Sequence, residues 1–185
     1  DYSDLVLRDN VENFLNIGTG HARGIDVFFK YGAFLQTPVS GWISYSYLDS
    51  RRTGVRDAAG FFTLESARSP FDISHNLTIV AKTSLWGHLS LGGTFRYATG
   101  RPITPIVDSV LHENGYYLPI DGPIYSERLP DFHRADTNLS YYMPFGYGNA
   151  VVFYAAINNF FNRRNVLDYD YNSDYSQRSP RAVSY

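Results

Sequence analysis

Five histidines are the first side chains to weigh for chemistry: His21, His75, His88, His112 and His133. No two stand at a metal-ligand spacing such as H-x-x-x-H, so they read as solvated or interfacial rings. His75-Asn76 beside Ser69 or Ser74 supplies the parts of a Ser/His/Asn hydrolase. Such groups act only within hydrogen-bond reach of one another. Adjacent residues of a strand point to opposite faces, so His75 and Asn76 cannot serve one site. Asp168-Tyr-Asp-Tyr-Asn-Ser-Asp174 repeats oxygen ligands at alternate positions, as a calcium loop does. Its sixth position is Ser173 instead of glycine and its twelfth is Ser179 instead of glutamate, so it reads as a polar loop. Asn76-Leu-Thr78 and Asn138-Leu-Ser140 match a glycosylation pattern but fall inside expected strands. With no cysteine, disulfides, cysteine-based zinc sites and thiol nucleophiles are excluded. The sequence thus gives no catalytic site, no metal site and no cofactor, and the chain is not expected to be an enzyme.

Composition narrows the class. A formal net charge of −2 argues against a nucleic-acid partner, which calls for a basic stripe. Tyr 16 and Phe 13 make the chain aromatic-rich, and Lys30 and Lys82 are its only lysines. Charged residues make up 18%, below the roughly 25% of soluble domains. The longest uninterrupted apolar run, Val151 to Ile157, is far short of the ~20 residues of a spanning helix. Asp1-Tyr-Ser-Asp4 does not open a signal peptide, so a mature form or a piece of a longer protein is expected.

Pattern decides between a soluble sandwich and a membrane wall. Long strands are expected over 14–33, 41–51, 72–85, 88–101, 131–143 and 150–163. Globular strands are usually about 5–6 residues, whereas a tilted membrane-spanning strand takes about 9–11. Four of them alternate; in the first, Ile25, Val27, Phe29 and Tyr31 oppose Asp26 and Lys30. Leu89, Leu91, Gly93, Phe95 and Tyr97 oppose Ser90, Gly92, Thr94 and Arg96. Leu77, Ile79, Ala81 and Leu85 oppose Asn76, Thr78, Lys82 and Ser84; Ala135, Leu139, Tyr141 and Met143 oppose Arg134, Asp136, Asn138 and Ser140. One face of each strand is therefore apolar and the other polar.

Connections alternate between short (Phe34–Ser40, Trp86-Gly87, Pro144–Asn149) and long (Arg52–Ser69, Pro102–Pro130, the stretch after Arg163). Outer-membrane barrels have short periplasmic turns and long extracellular loops. Trp42, Trp86, Phe145 and Tyr147 lie by the short turns, and Tyr47 and Tyr97 toward the long loops, as interfacial rings do. The expected fold is all-β: an antiparallel transmembrane β-barrel wall of about six long strands in meander order, located in the bacterial outer membrane with the lipid bilayer as a partner.

Five segments then carry a resemblance: Gly20-His-Ala-Arg-Gly-Ile-Asp26, Pro70-Phe-Asp-Ile-Ser-His-Asn-Leu77, Tyr97-Ala-Thr-Gly-Arg-Pro-Ile-Thr-Pro105, Glu127-Arg-Leu-Pro-Asp-Phe-His-Arg-Ala-Asp136 and Ile157-Asn-Asn-Phe-Phe-Asn-Arg-Arg-Asn-Val166. In this order the chain resembles the C-terminal part of the barrel of TonB-dependent receptors over nearly its whole length. The resemblance implies a 22-stranded barrel with an N-terminal plug. Such a receptor binds a scarce nutrient of the siderophore, cobalamin, glycan or peptide class and imports it with energy from the TonB complex. The plug, the coupling motif and the closing aromatic-ended strand are not in this sequence. Residues 1–185 are therefore expected to be a fragment of the barrel domain, partnered by the remaining barrel, the plug and, through the missing N-terminal region, a TonB-type transducer.

On that reading Arg96, Arg134, Asp136 and Asn159 are the candidate lumenal or rim contacts for a small nutrient ligand. Wall structure is the blander role for each. Gly100 and Pro102 stand where a strand gives way to a loop, Pro130 where the chain re-enters the sheet, and Asn158, Asn159 and Asn162 where loop backbone needs partners. Two other functions remain in play: a small self-contained outer-membrane barrel with a structural or adhesive role, and a passive porin.

Overall fold

The computed structural model describes residues 18–33, 37–56, 62–63 and 66–183. Those residues are all-β, with no helix among them. The strands begin with β1 (Gly20–Tyr31), β2 (Val39–Arg52) and three short pieces, β3 (Val55–Arg56), β4 (Phe62–Thr63) and β5 (Ala67–Arg68). β6 (His75–Trp86) and β7 (Leu89–Ala98) follow, then four strands of the longest loop: β8 (Pro102–Ile103), β9 (Ile106–Leu111), β10 (Tyr117–Asp121) and β11 (Glu127–Arg128). β12 (Phe132–Phe145) and β13 (Asn149–Ile157) complete the long strands, and β14 (Asn165–Tyr171) and β15 (Arg178–Val183) form a last hairpin.

The long strands lie side by side in the order β1-β2-β6-β7-β12-β13, every pair antiparallel and every connection to the next long strand. This is the expected meander of six. The path does not close, because β1 and β13 have no ladder to each other among the described residues.

Register sets the two faces. The rows Val27↔Tyr45, Tyr45↔Leu77, Leu77↔Tyr97 and Tyr97↔His133 run across the sheet on one side. Phe29↔Ile43, Ile43↔Ile79, Ile79↔Phe95 and Phe95↔Ala135 form the next row of the same side. Leu91↔Leu139 and Leu89↔Tyr141 lie there too. The other side carries Asn76, Lys82, Arg96, Arg134 and Asp136: Lys82 stands opposite Ser40 and Gly92, Arg96 opposite Thr78 and Arg134, Asp136 opposite Thr94. The expected division into an apolar and a polar face holds at each of these residues.

Exposure is graded across the apolar face. Leu91 and Leu139 are exposed, while Leu77, Ile79, Leu89 and Phe95 are half-exposed and none is buried. Side chains in neighbouring rows shield one another, although no second layer covers them. Leu129, in the rim loop, is the only buried hydrophobic side chain of the core among the described residues.

Three departures from expectation have local causes. β13 ends at Ile157 short of 163, because Asn159 and Asn162 turn the chain with φ of 51° and 48°, a region asparagine tolerates. The long loops hold short ladders of their own, β9 with β10 and β14 with β15, beyond the six expected strands. Trp42 lies on the polar face against Phe28, with ring centroids 5.9 Å apart, and so stands outside any girdle on the apolar side. Residues 1–17, Phe34 and Tyr185, on which expectations were also placed, lie outside the described residues.

Two glycines separate steric need from conformational need. A Cβ on Gly41 would collide with the Val80 carbonyl oxygen, and backbone in a ladder cannot retreat. Gly87, in the β6–β7 turn, has φ +53° and open space around it. Gly41→Ala is expected to lower folded stability by roughly 1–3 kcal/mol, the usual cost of overpacking. Gly87→Asn should stay within about 0.5 kcal/mol, since asparagine accepts this φ. Denaturant midpoints of the two variants check both.

Candidate functional site

The four candidate contacts converge at the loop end of β7 and β12. Arg96 and Arg134 face each other across the ladder. The Arg134 Nε donates to Asp136 Oδ1 at 2.7 Å, and the same oxygen accepts the Asn159 N–H at 2.7 Å. Asn159 is 8% exposed, with its amide spent on one neighbour: Oδ1 accepts the Arg163 N–H and Nδ2 donates to the Arg163 carbonyl, both at 2.9 Å. Asp136 and Asn159 thus pin the turn after β13 onto β12. Arg96 is exposed and forms no hydrogen bond or ion pair among the described residues. Of the other two asparagines, Asn162 donates its backbone N–H to the Asn159 carbonyl.

Below this cluster the polar face dips into a concavity of ≈ 240 Å³ lined in part by Lys82, Ser90, Thr94, Asn138, Ser140 and Tyr154. Gly92 shapes its floor: a Cβ there would meet the Asn138 amide at 2.7–2.8 Å, so only glycine lets Asn138 lie flat across the strand. Hydroxyls, an amide and an ammonium suit a polar ligand held by hydrogen bonds.

The most densely bonded polar centre of the rim lies outside the four candidate residues, at Asp72. Asp72 is 0% exposed. Its carboxylate accepts the Arg68 Nη1 at 2.8 Å, the Arg128 Nη2 at 2.6 Å and the Ser50 N–H at 3.3 Å. The Arg128 guanidinium also reaches the Asp72 and Gly100 carbonyls at 2.7 and 2.8 Å and the Ser74 Oγ at 2.8 Å. One side chain thereby ties three separate loop segments. Burial pushes the Asp72 carboxyl up, but the Arg68 and Ser50 hydrogen bonds and the Arg128 charge outweigh it and hold the group below the ordinary carboxylate range.

Asp131 completes the arrangement. Its carboxylate accepts the Tyr97 hydroxyl at 2.6 Å and the Gly100 N–H at 3.1 Å, and the Tyr97 hydrogen bond is the main reason its pKa is lowered. Gly100 has no alternative here, since a Cβ would collide with the Leu129 backbone. Asn165, 5% exposed, extends β12 in the manner of a strand neighbour: Oδ1 accepts the His133 N–H at 3.1 Å and Nδ2 donates to the His133 carbonyl at 3.2 Å. The only sequence signal for Asp72, Arg128, Asp131 and Asn165 was their place inside the quoted segments. Their partners lie 28 to 56 positions away for Arg128, too far for spacing to reveal.

The histidines stand apart from one another. His75 accepts or donates a bond with the Tyr45 hydroxyl at 2.8 Å on the apolar face, His112 stacks on Tyr116, and His88 packs near Tyr142. In the 168–174 stretch, Asp168 faces Arg101 and Arg181, Asp170 faces Arg181, and Asp174 accepts from Ser176. No group of three metal-ligating side chains forms among the described residues. No protein-family model, curated protein or solved structure matches the chain.

The Asp72 node generates a pH prediction. A carboxylate whose folded pKa lies below its ordinary 3.8 contributes stability above that value and loses it as pH falls through the lowered one. Protection of loop 102–130 from an added protease should therefore hold at pH 7 and fall as the pH is brought below about 4. Asp72→Asn should weaken protection at pH 7, by roughly the 1.5–3 kcal/mol of a charged hydrogen bond, and flatten this pH dependence. Cleavage of both proteins at one rate across the range would remove the node's role.

Proposed function

We propose that the chain is part of the wall of an outer-membrane β-barrel belonging to an energised nutrient receptor of the TonB-dependent type, which binds and transports its ligand and performs no catalysis. The carrying observation is the uncovered apolar face. Ile25, Val27, Phe29 and Tyr31 are 53–65% exposed in one strand, and the apolar rows continue across the whole sheet. Such a surface needs an apolar solvent: soluble monomers rarely expose contiguous apolar patches beyond a few hundred Å². Strands of 9 to 14 residues also suit a bilayer crossing.

The edges of β1 and β13 that have no ladder partner among the described residues support the fragment reading. An unpaired strand edge in lipid costs several kcal/mol for each unsatisfied group, so further strands of a longer polypeptide complete the barrel. The plug, the remaining barrel and the energy transducer belong to that whole. The polar face then lines the lumen, where Arg96, Arg134 and the concavity beneath them are open to a small ligand, while Asp136 and Asn159 hold the turn that frames it.

Two measurements test this. In the full-length polypeptide, Ile79→Arg should cost roughly 2–4 kcal/mol of folding stability in bilayers, while Ser44→Arg on the polar face should cost under about 1 kcal/mol. Equal effects would mean that the apolar face is not in lipid. For the receptor role, cells carrying the full-length protein are offered a ferric siderophore, cobalamin, an oligosaccharide and a peptide. Uptake of one of them should stop when the inner-membrane proton gradient is collapsed; uptake that persists identifies a passive porin.

A further inference from the structure

We propose that Asn114, at the tip of the β9–β10 hairpin, is a self-modification site, where the side-chain amide is lost through a cyclic imide to give aspartate and isoaspartate. The inference does not depend on the membrane reading, because the tip is exposed whatever solvent bathes the sheet. Asn114-Gly115 is the one Asn-Gly pair of the sequence. Both residues are exposed and lie between Ile106–Leu111 and Tyr117–Asp121. In the step, the Gly115 nitrogen attacks the Asn114 side-chain carbonyl carbon. A new C–N bond closes the ring, the bond to the amide nitrogen breaks, and that nitrogen leaves as ammonia with the proton that Gly115 gives up. Water then opens the ring. It yields aspartate where it releases the side-chain carbonyl and isoaspartate where it releases the main-chain carbonyl. Water is the only co-reactant, and nothing is oxidised or reduced.

The structure singles out this position. Ring closure requires the attacking nitrogen to swing toward the side chain, and glycine leaves the backbone the most freedom to do so. Gly115 has φ +83°, and a Cβ built on it would meet nothing within 4 Å. The Asn114 side chain makes no hydrogen bond among the described residues. Asn172, in the other rim hairpin, differs: its amide donates to the Ser176 Oγ and accepts the Gln177 N–H, both at 3.0 Å. Asn159 and Asn165 are buried with their amides spent on backbone. Asn76 and Asn138 lie inside ladders. Asp121-Gly122, where the same ring could close, is shut within the same hairpin. Gly122 is buried, its N–H donates to the Pro105 carbonyl at 2.7 Å, and a Cβ on it would meet the Val107 side chain at 2.7 Å. One contact opposes reaction at Asn114: the Gly115 N–H donates to the His112 carbonyl at 2.9 Å. A single exposed hydrogen bond slows closure by about tenfold at most, so it delays the reaction without blocking it. The product adds negative charge to a segment that already carries Asp108, Glu113 and Asp121 and has no lysine or arginine between Arg101 and Arg128. Isoaspartate also lengthens the main chain within the turn that the His112 N–H closes onto the Tyr116 carbonyl at 2.7 Å.

The test incubates the folded full-length protein in water enriched in heavy oxygen, at neutral and at mildly alkaline pH. Proteolytic fragments are then mapped by mass spectrometry, with electron-based fragmentation to tell isoaspartate from aspartate. The fragment spanning β9 and β10 should show the mass change of an amide replaced by a carboxylate, take up heavy oxygen and contain isoaspartate. Conversion should be faster at the alkaline pH, because the attacking nitrogen must lose its proton. Asn114 should convert about tenfold or more faster than Asn172, given the two hydrogen bonds of the Asn172 amide alone. Gly115→Ala should slow conversion. Asn114→Gln, which leaves the turn backbone unchanged and would need a six-membered ring, should leave the fragment unmodified over the same period. Conversion of Asn172 or Asp121 ahead of Asn114 overturns the proposal. So does a product free of isoaspartate formed equally fast in Gly115→Ala, which would be direct hydrolysis of the amide. A fragment that stays intact in the folded protein but converts once the protein is denatured also overturns it, by showing that the fold protects the tip.

Discussion

A single sheet with no second layer is the constraint on which everything else in this chain depends. Its strands are held by backbone ladders to their neighbours, and among the described residues the apolar face has no partner. In a soluble domain such a face packs on another sheet or on helices. Here the hydrophobic contribution that stabilises ordinary domains is missing from the interior, because Leu129 is the only buried hydrophobic of the core among the described residues. The strands gain instead from same-face neighbours along each row and, on the proposed reading, from the hydrocarbon around them.

The rim is built on a different principle. Where the ladders stop, order passes to side chains that imitate or clamp backbone. Asn165 bonds both backbone groups of His133 as a further strand would, and Asn159 does the same for Arg163. Arg128 and Asp72 join segments that the sheet cannot reach. The outermost hairpin is tied in by Arg178 to Glu127 at 2.8 Å, by Arg101 to Asp168 at 3.2 Å, and by the Ser109 hydroxyl to the Asp174 carbonyl at 2.6 Å. Loops of this length usually lose order unless their polar groups find partners. These find them in one another, so the rim presents a set surface to any ligand arriving from the loop side.

That economy also sorts the candidate contacts. Asp136 and Asn159 are committed to the turn they hold, whereas Arg96 stands exposed beside Arg134 and makes no side-chain hydrogen bond among the described residues. A role in ligand binding therefore falls first on Arg96, and on Arg134 through the guanidinium nitrogens that Asp136 does not engage. The concavity beneath them, with Thr94 and Asn138 in its lining, continues the same polar face.

The sequence by itself determined the six long strands, their order and their faces. Period-2 alternation is a local property, so His75–Trp86 and Leu89–Ala98 declare which side chains share a side before any partner is known. A two-residue connection, expected at Trp86-Gly87 and found at Gly87-His88, leaves an antiparallel hairpin as the only path. Arg96, Arg134 and Asp136 could be grouped in advance for the same reason. Tertiary structure alone decided what happens at the rim. Asp72 meets Arg128 across 56 positions, and Arg51 meets Arg68 only because the loop between them folds back to add β5. Contacts of this kind depend on where loop ends are brought by the sheet, and no periodicity encodes that. The end of β13 at Ile157 was hidden likewise, since the turn of Asn159 is fixed by a carboxylate on the neighbouring strand, Asp136, and not by its own sequence.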